Sequence, residues 1–97
     1  MKPPENTNEK LFSFHWGSGV IVEEAQAESP WHWPSIQLLK FTSGSAAGQI
    51  SIRFCHYTKT GKFNRSPLVM STEDVHSMRE ALKRTPELAA LLKTLVI

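Results

Sequence analysis

Gln49-Ile50-Ser51-Ile52-Arg53-Phe54-Cys55-His56-Tyr57 alternates in hydropathy residue by residue. Successive side chains of an extended chain point to opposite faces. Ile50, Ile52, Phe54 and His56 therefore share one face, and Ser51, Arg53, Cys55 and Tyr57 the other. A strand with one apolar side and one polar, cationic side fits an antiparallel sheet packed on a single face. Thr58-Lys59-Thr60-Gly61 reads as the hairpin loop that follows, with Gly61 free to take positive φ. Residues 62–65 continue back along the sheet, and Pro67, which has no N–H to donate, marks an edge or a bulge.

Upstream, Ser35 to Thr42 is extended and rich in apolar residues, and residues 43–48 are a small-residue connection, so these two strands lie antiparallel. Further back, Phe12, Phe14 and Trp16 alternate with Ser13 and His15. Gly17-Ser18-Gly19 then gives a turn signal before Val20-Ile21-Val22, which predicts a first hairpin. Residues 25–34 read as a loop ending in Trp31-His32-Trp33 between two prolines. Residues 1–9 are polar, contain two prolines, and read as a loosely held tail before one domain spanning 10–97.

Downstream the pattern changes to helix. Ser71 with Asp74 three residues later forms a capping box in which Asp replaces Glu. Val75, Met78, Ala81 and Leu82 make one apolar stripe. Thr85-Pro86-Glu87 is a second helix start, with Thr85 as cap and Pro86 at the first helical position, which predicts a kink near Arg84. The fold class is thus α+β: a curved antiparallel sheet of four to five strands followed by a kinked C-terminal helix. From Leu88 to Ile97 only Lys93 and Thr94 are polar, and a single sheet face covers one helix stripe, not most of its circumference. Leu88, Leu91, Leu92 and Leu95 are therefore expected at a homodimer interface between helices. The alternative is a monomer whose N-terminal hairpin folds over the second face.

Composition narrows the function. Ninety-seven residues with 40% hydrophobic and 21% charged side chains suit one globular core. No apolar run approaches the ~20 residues of a membrane-spanning helix, and the first ten residues lack the apolar stretch of a secretory signal. Cys55 is the sole cysteine, in keeping with a reducing, cytoplasmic setting. The four histidines show no metal-ligand spacing, His56 points away from Cys55, and no phosphate-binding glycine loop is present. Neither an enzyme nor a cofactor or metal site is expected.

Charge is distributed unevenly. All nine acidic residues lie outside residues 29–72, the stretch that carries Lys40, Arg53, Lys59, Lys62 and Arg65. If these cations share a surface, its potential is positive whatever the net charge of +2. The plainer explanation is that strands disfavour Asp and Glu. Aromatic residues interleave with the cations (Trp31, Trp33, Phe41, Phe54, Tyr57 and Phe63). Cations for phosphates and flat side chains for unpaired bases are what a single-stranded nucleic acid requires. Each aromatic also has a duller reading, Phe41 and Phe54 as core and Trp31 and Trp33 as a seal at its end.

Ile50-Ser51-Ile52-Arg53-Phe54, His56-Tyr57, the polar turn with Gly61-Lys62, Arg65, Leu68-Val69-Met70-Ser71 and an acid-capped helix together resemble the DNA-binding domain of the positive cofactor four family of transcriptional coactivators. The Whirly proteins share that fold, and the resemblance, over residues ~49–95, suits a bacterial branch, with a cyanobacterial one among the candidates. It implies a homodimer joined through its helices, presenting curved sheets to single-stranded DNA or RNA in transcription regulation. By position, Arg53, His56 with Tyr57, Lys59, Lys62 and Arg65 inherit the family's contacts, and Lys40 extends them. His56 stands where the family carries a larger stacking aromatic, Arg65-Ser66-Pro67 replaces its usual Lys-Gly, and the Trp31–Trp33 segment has no counterpart. The competing expectation is a protein–protein interaction module that keeps the fold and uses that Trp segment or a strand edge.

Overall fold

The computed structural model describes residues 10–96, so the expected tail at 1–9 and the side chain of Ile97 lie outside the described residues. Five antiparallel strands run in chain order, β1 (Lys10–Phe14), β2 (Gly17–Gln26), β3 (Trp33–Gly44), β4 (Ile50–Tyr57) and β5 (Phe63–Asn64). Helices α1 (Thr72–Leu82) and α2 (Pro86–Lys93) follow. Each strand pairs with its sequence neighbour, and the sheet curls into a half-barrel.

The first hairpin turns one step earlier than the glycines suggest. His15 and Trp16 make the turn, and Gly17, Ser18 and Gly19 belong to β2. The reason is close packing. A Cβ at Gly19 would sit 1.9 Å from the Lys40 carbonyl oxygen, so the glycine serves sheet contact rather than the turn. β2 also runs on to Gln26, well past the expected end. Its register against β3 slips between Ile21 and Glu23, leaving Val22 as a bulge. The extra residue reverses the alternation, so that Ile21 (opposite Leu39) and Glu24 (opposite Gln37) share a face while Glu23 turns to the other.

The two faces differ. On the convex face, α1 and α2 cover Ala25, Ala27, Ile36 and Leu38 with Met78, Ala81 and Leu88, and Ile52, Met70, Leu82 and Leu92 pack at the margin. The concave face carries a separate cluster of Phe12, Leu39 and Phe41, flanked by Phe14, Ile21 and Ala46. The face away from the helices is thus not simply wet; β1 curls its aromatics over it. The strand read from Gln49 to Tyr57 is β4, and its register against β3 confirms the two sets of faces. Phe54, expected in the core, is on the helix side but half exposed, because the helices lie mainly over β2 and β3.

The Ser71–Asp74 capping box forms as expected, each side chain bonded to the other's backbone N–H. The kink is a full break between two helices. Thr85 occupies the cap position of α2 without capping: its hydroxyl donates backward to the Leu82 carbonyl at 3.2 Å. The Glu23 carboxylate accepts instead from the Leu88 N–H at 2.8 Å and the Glu87 N–H at 3.4 Å. A strand side chain therefore neutralises the helix's positive end.

Candidate nucleic-acid interface

The concave face is built around Gln37, which is fully buried. Its amide nitrogen donates to Glu24 Oε2 at 2.8 Å and to the Tyr57 hydroxyl at 2.7 Å, and its amide oxygen accepts from Arg53 Nε at 2.8 Å. Ser35 donates to the same Glu24 oxygen, and Lys10 Nζ lies 2.6 Å from the other. Strand pairing makes this local geometry inevitable. Gln37 stands opposite both Glu24 and Arg53, and Ser35 opposite Cys55. Burial alone would raise the Glu24 carboxyl, but the hydrogen bonds from Lys10, Ser35 and Gln37, with the Lys10 charge, hold it below its ordinary value of 4.5. Among the described residues, the one acid on this face is thereby neutralised inside the floor.

Above that floor Arg53 is held among rings. Its guanidinium carbon lies 4.9 Å from the Phe63 centroid, 5.8 Å from Phe14 and 6.0 Å from Phe12, within range of cation–π attraction. Phe14 stacks on Trp16 at 5.1 Å with an interplanar angle of 5°, and Tyr57 meets Phe63 edge-on at 5.6 Å. A groove of about 610 Å³ opens here, walled by Phe12, Phe14 and His15 on one side and Arg53, Tyr57, Phe63 and Arg65 on the other. A second hollow shares Leu11 and Tyr57 with it and continues past Glu24 to Trp33. Burial pushes the Cys55 thiol up, against the nearby Arg53 charge, which leaves it a protonated, inert part of the floor.

The sequence-predicted residues separate into three places. Arg53, Tyr57 and Arg65 line the groove, and Lys59 and Lys62 stand exposed on the hairpin loop beside Phe63. Lys40 and His56 do not join them. Lys40 pairs with Ile50 and shares the convex face of Ile36 and Leu38. His56 is buried at 6% exposure on that same side, where Nε2 lies 3.0 Å from the Ser66 carbonyl oxygen, so it offers no stacking platform. The Trp pair divides: Trp33 opens β3 and lines the concave hollow, whereas Trp31 is 84% exposed on the loop. Leu88 and Leu92, expected at the dimer interface, pack in the chain's own core, and Leu91 and Leu95 remain exposed.

Phe14, His15 and Phe63 were not singled out as site residues. Alternation in β1 placed Phe12 and Phe14 together, but nothing in the sequence showed that β1 would curl round to meet β4. Among the described residues no three His, Cys, Asp or Glu side chains gather as a metal site, and no helix is long and apolar enough to cross a membrane. No family model, curated protein or solved structure matches this chain.

Proposed function

We propose that this protein binds single-stranded nucleic acid along the concave groove, as a homodimer acting in transcription regulation. One observation carries the binding: Arg53 and Arg65 line a single groove with Phe14, Tyr57 and Phe63. Lys59 and Lys62 are exposed on the adjoining hairpin loop, and among the described residues the acid of the floor, Glu24, is spent on Lys10, Ser35 and Gln37. Exposed cations meet phosphates while the rings receive bases, each stacked base contributing ~1–3 kcal/mol. The resemblance to the positive cofactor four and Whirly proteins supports the same reading, now with Phe63 joining Tyr57 in the role first given to His56 with Tyr57. Homodimerisation is supported by Ile50, Phe54 and Leu91, apolar side chains that the chain leaves exposed.

Fluorescence anisotropy with unstructured DNA and RNA oligomers tests this. Four cations on phosphates predict a log–log salt slope near −0.7 × 4, or roughly −3. Lys62→Ala with Arg65→Ala, both at exposed positions, should reduce that slope by about 0.7 × 2, or roughly 1.4, and leave the circular dichroism spectrum unchanged. Failure to bind either oligomer at low salt overturns the proposal. The second reading, an interaction module for another protein, draws on Trp31, whose exposed ring borders a hollow formed by Ser29, His32, Val69 and Asp74. It predicts a partner affinity that is flat with salt and lost in Trp31→Ala.

A further inference from the structure

The sheet has two edges of unequal kind. β1 is a five-residue edge carrying Lys10. β4 is eight residues long, yet β5 pairs only with His56 and Tyr57. Among the described residues, Ile50 to Cys55 has no strand on its outer side. The usual guards of an open edge are Lys, Pro, a bulge or a covering loop. Here the register against β3 is unbroken and no Lys or Pro is present. The sole charge is Arg53, whose side chain is engaged on the concave face.

The polarity of that edge follows from one hydrogen bond. The Phe41 N–H of β3 donates to the Gln49 carbonyl at 3.0 Å. Alternation then turns the backbone groups of Ser51, Arg53 and Cys55 toward β3, and those of Ile50, Ile52 and Phe54 outward. Thr58, whose N–H donates to the Lys62 carbonyl on the β5 side, agrees with this phase. Three N–H and three C=O groups thus face away from the molecule in a row. The side chains of the same three residues belong to the incompletely covered convex face, where Ile50 is 57% and Phe54 50% exposed.

We infer that the partner on this edge is a second copy of the chain, joined β4 to β4 about a two-fold axis at Ile52. This deepens the homodimeric part of the reading above and uses none of its nucleic-acid chemistry. An antiparallel, symmetric register that sets Ile52 opposite Ile52, and Ile50 opposite Phe54, satisfies all six outward groups. Shifting the centre to Phe54 would set Ile52 against His56, whose outer side β5 already holds; shifting it to Ile50 leaves Phe54 without a partner. The ladder ends where the chain does: at Gly48, with φ 92°, the backbone turns back toward β3.

Side chains agree with that register on both faces. On the concave side each Arg53 stands opposite a Ser51, so no like charges meet directly. On the convex side each Phe54 faces Ile50 of the other copy, which borders a mainly apolar hollow formed with Leu38, Glu87, Ala90, Leu91 and Thr94. The ring of one copy fills the hollow of the other. The product is a continuous ten-stranded sheet with its two concave grooves side by side.

Light scattering on the full chain, with circular dichroism as a folding control, tests the pairing. The expected mass is twice the chain's 10.9 kDa. Ile50→Glu and Phe54→Lys each replace an exposed side chain and should be folded monomers, with dimerisation weakened at least tenfold. Mixing the two variants should restore a dimer, since one strand pair then sets a carboxylate against an ammonium. Leu95→Lys should remain dimeric. A monomeric native chain overturns the inference, as does a dimer abolished by Leu95→Lys but intact in Phe54→Lys. Amide exchange at Ile50, Ile52 and Phe54 that slows in a monomer only while residues 1–9 are present also overturns it, by giving the edge to the chain's own N-terminus. Loss of oligonucleotide binding with the dimer intact would sink the proposed function and leave this pairing standing.

Discussion

The convex and concave faces of this sheet are held by different forces. Under the helices the contacts are aliphatic and non-directional: Ile36, Leu38, Met78 and Leu88 exclude water by volume. In the hollow of the half-barrel, aromatic rings surround a chain of hydrogen bonds from Lys10 through Glu24 and Gln37 to Arg53. Aliphatic packing tolerates modest exchange of shape, whereas a buried polar chain depends on every member, because an orphaned donor or acceptor carries the full cost of its desolvation. The comparison teaches where this protein puts stability and where it puts specificity.

Substitutions can break that contrast, beginning with the largest effect. Leu88, fully buried where α2 meets the sheet, should lose about 4 kcal/mol of unfolding free energy on Leu88→Ala, equally at neutral and mildly acidic pH in urea titrations. Glu24→Ala should cost about 3 kcal/mol at neutral pH, because it strands the buried Ser35 and Gln37 donors together, while the exposed Lys10 returns to water. That loss should shrink on acidification. The folded chain holds the Glu24 carboxyl below its unfolded value, so its contribution is complete above about pH 4.5 and is lost as pH falls through the folded value. Thermal melts between pH 6 and 3 should show the native chain losing this increment and Glu24→Ala lacking it. A parallel pH profile for the two would sever the link between the carboxyl and the polar chain.

Smaller effects sharpen the same contrast at the helix starts. Ser71→Ala removes a working cap and should cost about 1 kcal/mol. Thr85→Val keeps the volume of this buried residue and removes a hydroxyl that stands at the cap position without capping; it should cost about 0.5 kcal/mol by the same measurement, because the Leu82 carbonyl keeps the Thr85 N–H as its donor. A larger loss at Thr85 would mean that α2 depends on its local signal after all.

Local signals carried much of the fold. Period-two alternation located β4 and sorted its faces, Gly61 fixed the last hairpin, and the Ser71–Asp74 box fixed the start of α1. What stayed hidden was non-local. Gly17 and Gly19 have the composition of a turn, but their smallness answers to the backbone of β3 pressing against β2. The bulge at Val22 breaks the alternation of β2 at the point where it decides which of two neighbouring glutamates enters the polar floor. At the site, Arg53 and Tyr57 were legible because both lie on one strand. Lys40 was misplaced because charge counted along the chain ignores which face a residue occupies, and His56 because a neighbour in sequence is on the opposite side of a strand. Phe14 and Phe63 join Arg53 only through the curl of the sheet, which no run of residues encodes locally.

The carboxylate of Glu23 on the first turn of α2 has a bearing on the order of assembly. A helix of eight residues is too short to persist alone in water, and this one has delegated its start to a residue 64 positions earlier in the chain. The C-terminal segment therefore acquires its shape only after β2 has been laid against β3 with the bulge in place. Without the sheet in place, the first turn of α2 lacks the carboxylate that holds it.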